Sequence, residues 1–206
     1  MKSLLVDLQY FSPVILYRTL FEFTHIVFEQ YESFQKMSFR NRCMIAGADG
    51  PILLSIPLGG GRDQRTLIRD LRIDYRQNWQ RQHLKTINSC YNRSPWFEHY
   101  KEDLEVLFSE RPTYLMDWNR RCFEWTLDAL GLEIEIDLTQ EYLKEYPDEK
   151  VLDWRNSITP KSVRPVSGDH IKYSQVFEER TGFIPNLSIL DLIFCEGKNA
   201  RKKILL

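Results

Sequence analysis

Leu4-Leu5-Val6-Asp7-Leu8, then Gln9-Tyr10-Phe11-Ser12-Pro13, then His25-Ile26-Val27-Phe28-Glu29-Gln30: these three stretches decide the fold. The first reads as a short buried strand. Pro13 suits the first turn of a helix through Tyr17, Leu20 and Phe21, because its fixed φ is helical and its missing N–H is not needed there. The third stretch reads as a second strand. Strand, helix and strand within about 30 residues make a βαβ unit, which favours a parallel pair.

Downstream, Gln35-Lys36-Met37-Ser38-Phe39-Arg40-Asn41-Arg42-Cys43-Met44-Ile45 feeds an apolar hairpin. It turns at Asp49-Gly50, a strong hairpin signal, into Pro51-Ile52-Leu53-Leu54-Ser55-Ile56-Pro57. Gly59-Gly60-Gly61 with Arg62 and Asp63 reads as a flexible loop. Leu67, Arg69, Leu71 and Ile73 alternate with Ile68, Asp70, Arg72 and Asp74, so 66–75 reads as another strand. Helical periodicity then takes over. Helices are expected over 78–91, over 95–110 with Ser94 as N-cap and Pro95 at its first position, and over 114–130, ended by Gly131. Residues 133–138 alternate like a strand. Residues from about 145 to 172 hold Pro147, Pro160, Pro165 and Gly168 and read as a long irregular segment, a feature often tied to function. A helix around 173–179 follows. Ser188-Ile189-Leu190-Asp191 matches a capping pattern ahead of an apolar helix. Lys198 to Lys203 reads as a solvated tail. The expected fold is α/β, a single domain over 1–206. It has a mixed β-sheet with an N-terminal βαβ unit and hairpin, a helical middle region and a C-terminal helix packed on the sheet.

The 206 residues are 43% hydrophobic and 13% aromatic, enough for a sizeable core. The formal net charge of -1 argues against nucleic acid or a membrane surface as partner. No run approaches the ~18 apolar residues of a membrane helix. The opening Met1-Lys2-Ser3-Leu4-Leu5-Val6 is broken by Asp7 and is no secretory segment. Cys43, Cys90, Cys122 and Cys195 form no CxxC and no metal-spaced pair. Free thiols in a reducing compartment are expected, with no metal and no disulfide, in a cytoplasmic protein.

Candidate chemistry gathers at a few positions. Gln9 and Tyr10 close the first strand, where α/β folds bind ligands. Lys36, Arg40, Asn41 and Arg42 combine cations with an amide donor, and guanidinium forks match planar anions. In a strand, Arg40 and Arg42 share one face while Asn41 joins Phe39 and Cys43 on the other. An exposed arginine of this kind, replaced by Ala, would lower ligand affinity and barely change stability. Trp79, His83, Ile87 and Tyr91 form one helical stripe. His83 is the candidate catalytic acid–base, against the plainer reading of a packed core histidine. Cys43 and Cys90 are nucleophiles only if a base lies near, and small buried hydrophobes otherwise. Asp191 suits the capping role. Gln175 and Asn186 have no comparable local explanation. There is no Walker loop, GxGxxG, HExxH or GxSxG.

Taken in order, Gln9-Tyr10-Phe11 with Pro13 and Tyr17, Lys36 with Arg40-Asn41-Arg42 and Ile45, Gly50 with Leu54-Ser55-Ile56-Pro57, and Ile73-Asp74 resemble the WbqC-like family. Trp79, His83, Ile87, Tyr91, Ser94-Pro95, Phe97, Gln175-Val176-Phe177 and the closing run from Phe183 to Phe194 continue the likeness. Longer members carry an extra stretch before the closing run, where this chain has its Pro-rich segment, and Cys195 stands where Asn is common. The resemblance implies a role in bacterial surface polysaccharide (O-antigen type) biosynthesis, transferring an acyl or aminoacyl (glycyl) group to an amino sugar or sugar nucleotide. It supplies no catalytic set and no cofactor. Two other functions stay open: a non-catalytic ligand-binding protein of the same pathway, and an amide or ester hydrolase acting through Cys43. In the transferase reading Lys36, Arg40 and Arg42 hold phosphates, Gln9 and Asn41 orient polar groups, and Tyr10, Trp79, Tyr91, Gln175 and Asn186 line the substrate site. A contact between His83 and a carboxylate would favour an enzyme.

Overall fold

The computed structural model describes residues 2–60, 65–146, 150–162 and 170–205. Gly61, Arg62 and Asp63 of the glycine loop, and Pro147, Pro165 and Gly168 of the Pro-rich segment, lie outside the described residues. Strand β1 (Ser3–Asp7), helix α1 (Val14–Leu20) and strand β2 (His25–Glu29) make the expected βαβ unit. The two strands are parallel, with Ser3 opposite His25 and Asp7 opposite Glu29. The expected hairpin follows as β3 (Arg42–Gly47) and β4 (Gly50–Ser55), antiparallel and forming a sheet of their own. The helical middle is α2 (Trp79–Tyr91), α3 (Phe97–Ser109) and α4 (Leu115–Leu130). Two late strands complete the parallel sheet: β5 (Glu135–Leu138) beside β2, and β6 (Val151–Asp153) beside β1. The order is β5-β2-β1-β6.

Alternation assigns the residues of β1 and β2 to two faces, both of them largely buried. Leu4, Val6, Ile26 and Phe28 are buried in the core. The Phe123 ring of α4 meets Phe28 edge-on at 5.0 Å and stacks on Tyr17 at 5.9 Å. Burying an aromatic of this size contributes about 1.5–3 kcal/mol. The other face carries Ser3, Asp7, His25 and Glu29. The chain then ends in α5 (Glu178–Thr181), α6 (Ile189–Glu196) and α7 (Ala200–Leu205). Helix α6 packs on α1, α3, α4 and β3. Its start is tied down by Ser188 N–H to the Met44 carbonyl at 2.7 Å and Ile189 N–H to that of Ser12 at 3.0 Å.

Several local expectations are corrected. Residues 66–75 form no strand. A single 3-10 turn, Ile68–Asp70, is followed by backbone bonds from Ile73 to Thr113 and from Asp74 to Pro57. Leu71 and Ile73 are buried in alternation, but their neighbours are loops. Ser94 does not cap α3; its hydroxyl donates to the Tyr91 carbonyl at the end of α2. The helix expected near 173–179 is the single turn of α5. The basic tail is helical, with Ala200 and Ile204 buried. The Pro-rich segment supplies β6. Phe39–Asn41 is a 3-10 turn, so β3 begins only at Arg42. Gly131 ends α4 in the left-handed region, as expected. Gly197 has φ 54°, and a Cβ there would sit 2.2 Å from the Trp96 indole, so only glycine fits between α6 and α7.

Candidate functional site

The chain leaves β1 toward β2 and β5, then crosses to β6 on the other side of β1. The gap between the carboxyl ends of β1 and β6 is therefore a topological switch point, where open α/β sheets bind ligands. Three strands end there in carboxylates: Asp7, Glu29 and Asp153. The turn at Phe39–Asn41 sends Arg40 into this gap, where it is 0% exposed. Arg40 Nε donates to Glu32 Oε1 at 2.7 Å, and Nη2 donates to the same oxygen and to Asn156 Oδ1, the latter at 2.8 Å. Arg40 Nη1 stands 3.6 Å from Asp7 Oδ2. Asp7 also accepts from Gln9 Nε2 at 2.8 Å and from the Asn156 backbone N–H at 2.8 Å. Gln9 Nε2 further reaches the Ile158 carbonyl at 3.1 Å. Beside this cluster Arg155 bonds Glu29 Oε2 at 2.8 Å, the Leu143 carbonyl at 2.9 Å and Asp153 at 2.6 Å, with Tyr142 and Tyr146 flanking its guanidinium. Buried charges persist only when paired in this way.

Above the Arg40 cluster lies a cleft of about 560 Å³, lined by Tyr31, Glu32, Lys36, Tyr142 and Asn156 among others. Asn156 has φ 60°, a left-handed conformation that asparagine tolerates and that tends to mark functional positions. Burial pushes the Glu32 carboxyl above its ordinary range despite the pull of Arg40. Gln9 Oε1 and Arg40 Nη1 are among the buried side-chain atoms of the described residues that lack a hydrogen-bond partner, although Nη1 keeps its ion pair with Asp7. Such orphans are uncommon and call for an explanation. Gln9, Lys36 and Arg40 are thus brought to one place, together with Asp7, Glu32 and Asn156, which the sequence did not single out.

The other candidates engage elsewhere. Tyr10 OH lies 3.1 Å from His83 Nδ1, and the imidazole packs edge-on to Trp79 at 5.2 Å. Trp79 in turn meets Trp118 at 5.3 Å. Burial lowers the His83 pKa to about 4, opposed by a backbone hydrogen bond at Ser55. The ring is therefore neutral near pH 7, a weak base packed in an aromatic cluster. Asn41 Nδ2 donates to the Ile56 carbonyl at 2.9 Å and ties the root of the hairpin. Arg42 parts from Arg40 and reaches Met37 Sδ at 3.1 Å, because the strand alternation that would pair them is absent from the 3-10 turn. Asn186 is half-buried in the loop before α6, with φ 53°. Cys43 is 1% exposed, and burial pushes its thiol up, which removes the thiolate a Cys43 hydrolase needs.

Tyr91 and Gln175 join a buried knot around Asp191. Ser188 Oγ does cap α6, accepting from Leu190 N–H at 3.3 Å. Asp191 instead accepts from Tyr91 OH at 2.7 Å and Tyr173 OH at 2.6 Å, and burial pushes its carboxyl up. Gln175 Nε2 donates to Tyr173 OH at 3.2 Å and to the Ile184 carbonyl at 2.8 Å. Asp191→Ala leaves two buried hydroxyls short of an acceptor and is expected to lower stability by about 2 kcal/mol. Asp191→Asn keeps one acceptor and should lose less than half of that. Urea denaturation of both variants checks this, and equal losses would contradict the knot. At the far, amino end of the strands, Ser3 Oγ meets His25 Nδ1 at 2.8 Å and His25 Nε2 meets Asp137 at 2.9 Å. The Asp137 side chain there is 65% exposed, so this row is a surface network.

These features define an α/β protein with a polar cleft at its switch point, floored by paired buried charges. The chain belongs to the WbqC-like protein family, whose family model matches residues 9–163. The match takes in Gln9, Glu32, Lys36, Arg40 and Asn156; the closing run of the likeness, from Gln175 onward, lies beyond it. No curated protein and no solved structure matches the chain. Among the described residues no helix is long and apolar enough to cross a membrane.

Proposed function

We propose that the switch-point cleft holds a small polar substrate and that the chain is a cytoplasmic transferase. It would move an acyl or aminoacyl (glycyl) group to an amino sugar or sugar nucleotide during surface polysaccharide synthesis. Family membership supports the pathway. The observation that carries the site is the cleft itself, lined by Glu32, Lys36 and Asn156 and joined through Glu32 and Asn156 to the buried Arg40 cluster at the carboxyl end of β1. Lys36, exposed on the cleft wall, is placed to meet a phosphate of a nucleotide carrier. A second reading, a non-catalytic binder using the same cleft, is favoured by His83, which bonds Tyr10 rather than a carboxylate.

A thermal-shift screen with nucleotide-linked amino sugars, acyl-CoAs and glycyl donors tests the proposal. A ligand at 100 times its Kd contributes about 2.7 kcal/mol. In a chain of this length that raises the Tm by about 5–10 °C. Lys36→Ala should weaken a nucleotide-linked ligand by about tenfold and leave the melting of the free protein unchanged. A ligand whose affinity ignores Lys36→Ala and every other change to the cleft wall would place the site elsewhere. Tight binding with no turnover for any donor–acceptor pair would decide for the binder.

A further inference from the structure

We propose that Glu32 receives the acceptor's ammonium group and takes its proton, which makes Glu32 the catalytic base of the transfer. This rests on the cleft being the substrate site.

The charge inventory points this way. Arg40 looks from the sequence like a clamp for phosphate, but its guanidinium is wholly buried and engaged by Glu32, Asp7 and Asn156. Arg155 is likewise engaged by Glu29 and Asp153. Four carboxylates, Asp7, Glu29, Glu32 and Asp153, thus gather around two guanidiniums. Among the described residues the carboxylates here outnumber the guanidiniums, a balance that favours a cation or a donor from the ligand. Glu32 lines the cleft, and Arg40 engages its Oε1 but not its Oε2. Gln9 Oε1 and Arg40 Nη1 are buried and do not line the cleft, and Nη1 is already paired with Asp7, so Glu32 is the acidic group that the cleft presents. A carboxylate on the cleft wall with one oxygen not taken by Arg40 suits an ammonium group, the feature that sets an amino sugar apart from a neutral sugar.

The chemistry balances. The ammonium gives one proton to Glu32, and its freed lone pair attacks the acyl carbon of an activated ester or thioester donor. A C–N bond forms and the C–O or C–S bond breaks. The nitrogen loses two protons in all. One leaves with the alkoxide or thiolate as the alcohol or thiol and the other passes to solvent, both by way of Glu32. Burial, which pushes the Glu32 carboxyl up, makes it a better acceptor than an ordinary glutamate.

Calorimetry on the full chain tests this with glucosamine, N-acetylglucosamine and glucose, each as the free sugar and as its UDP conjugate. At neutral pH the amine should bind at least tenfold more tightly than the other two. Glu32→Gln should erase that preference while circular dichroism shows a folded chain, and Glu32→Asp should restore part of it. Equal affinity for the three compounds in the wild type overturns the proposal, whether or not the variants fold. So does a preference that survives Glu32→Gln. If UDP conjugates bind without regard to the amine and weaken with Lys36→Ala, the cleft stands as the substrate site and the role of Glu32 falls. If none of the compounds binds, both fall together.

Discussion

Replacing Arg40 with Ala is expected to lower the unfolding free energy by about 3–5 kcal/mol, the usual loss when one partner of a buried ion pair is removed. The residue is fully buried, and Glu32 and Asp7 behind it are 5% and 1% exposed. Without the guanidinium both carboxylates keep their desolvation penalty and lose their partner. For 206 residues the Tm should fall by about 6–20 °C. This reverses the expectation for an exposed strand arginine, whose loss barely affects stability. Arg40→Lys keeps the charge but not the fork and should fall between. Chemical denaturation of the three proteins decides it. A loss below about 1 kcal/mol would mean that water already reaches the carboxylates.

The second large effect is acid sensitivity at His83. Its folded pKa of about 4 lies below the ordinary 6.5, so the folded state holds the neutral ring. The stability it contributes is complete above pH 6.5 and is lost as the pH falls from there to about 4. The full loss is about 3 kcal/mol. Glu32 and Asp191 act in the opposite sense, because carboxyls with raised folded values favour folding on acidification. Comparing His83→Gln with the wild type at pH 7 and pH 4 isolates the histidine, since the amide can still bond Tyr10 and does not titrate. The variant should lose about 3 kcal/mol less over that interval. If the two pH profiles run parallel, the imidazole is not the buried neutral group described above.

Much of the architecture was legible because long runs of one period leave few alternatives. Leu4–Leu8 and His25–Gln30 flank Pro13 at a spacing that only a βαβ unit meets well, and α2, α3 and α4 carry clear helical stripes. Strand β6 was not legible. It is three residues long, Val151–Asp153, and its stability comes from β1 rather than from its own composition. The alternation at 66–75 misled because burying every second residue requires an extended chain, not a partner strand. In the site, Gln9 stood out by its place at the end of the first strand and Arg40 as one of a cluster of cations with an amide donor. Asp7 was seen only as the residue that breaks an apolar run. Its pairing with Glu29 at the ends of two strands in register was the available signal, since two adjacent buried carboxylates require a cation. Glu32 and Asn156 gave no local sign. Their roles depend on an arginine 8 residues away in one case and 116 in the other.

The late arrival of β6 has a consequence for biosynthesis. Strand β1 leaves the ribosome ahead of the other strands of its sheet, and β2 can pair with one of its edges almost at once. Its other edge waits for Val151–Asp153. At ordinary elongation rates that wait lasts about ten seconds or more. Throughout it a fully apolar Leu4-Leu5-Val6 presents unpaired backbone donors and acceptors, the kind of edge that templates association between nascent chains. The charged floor of the cleft is also incomplete until then, because Asn156 and Arg155 arrive with the same segment. Chains stalled before residue 150 should therefore be held by chaperones or aggregate, and chains released after residue 160 should close the sheet and the cleft in a single event.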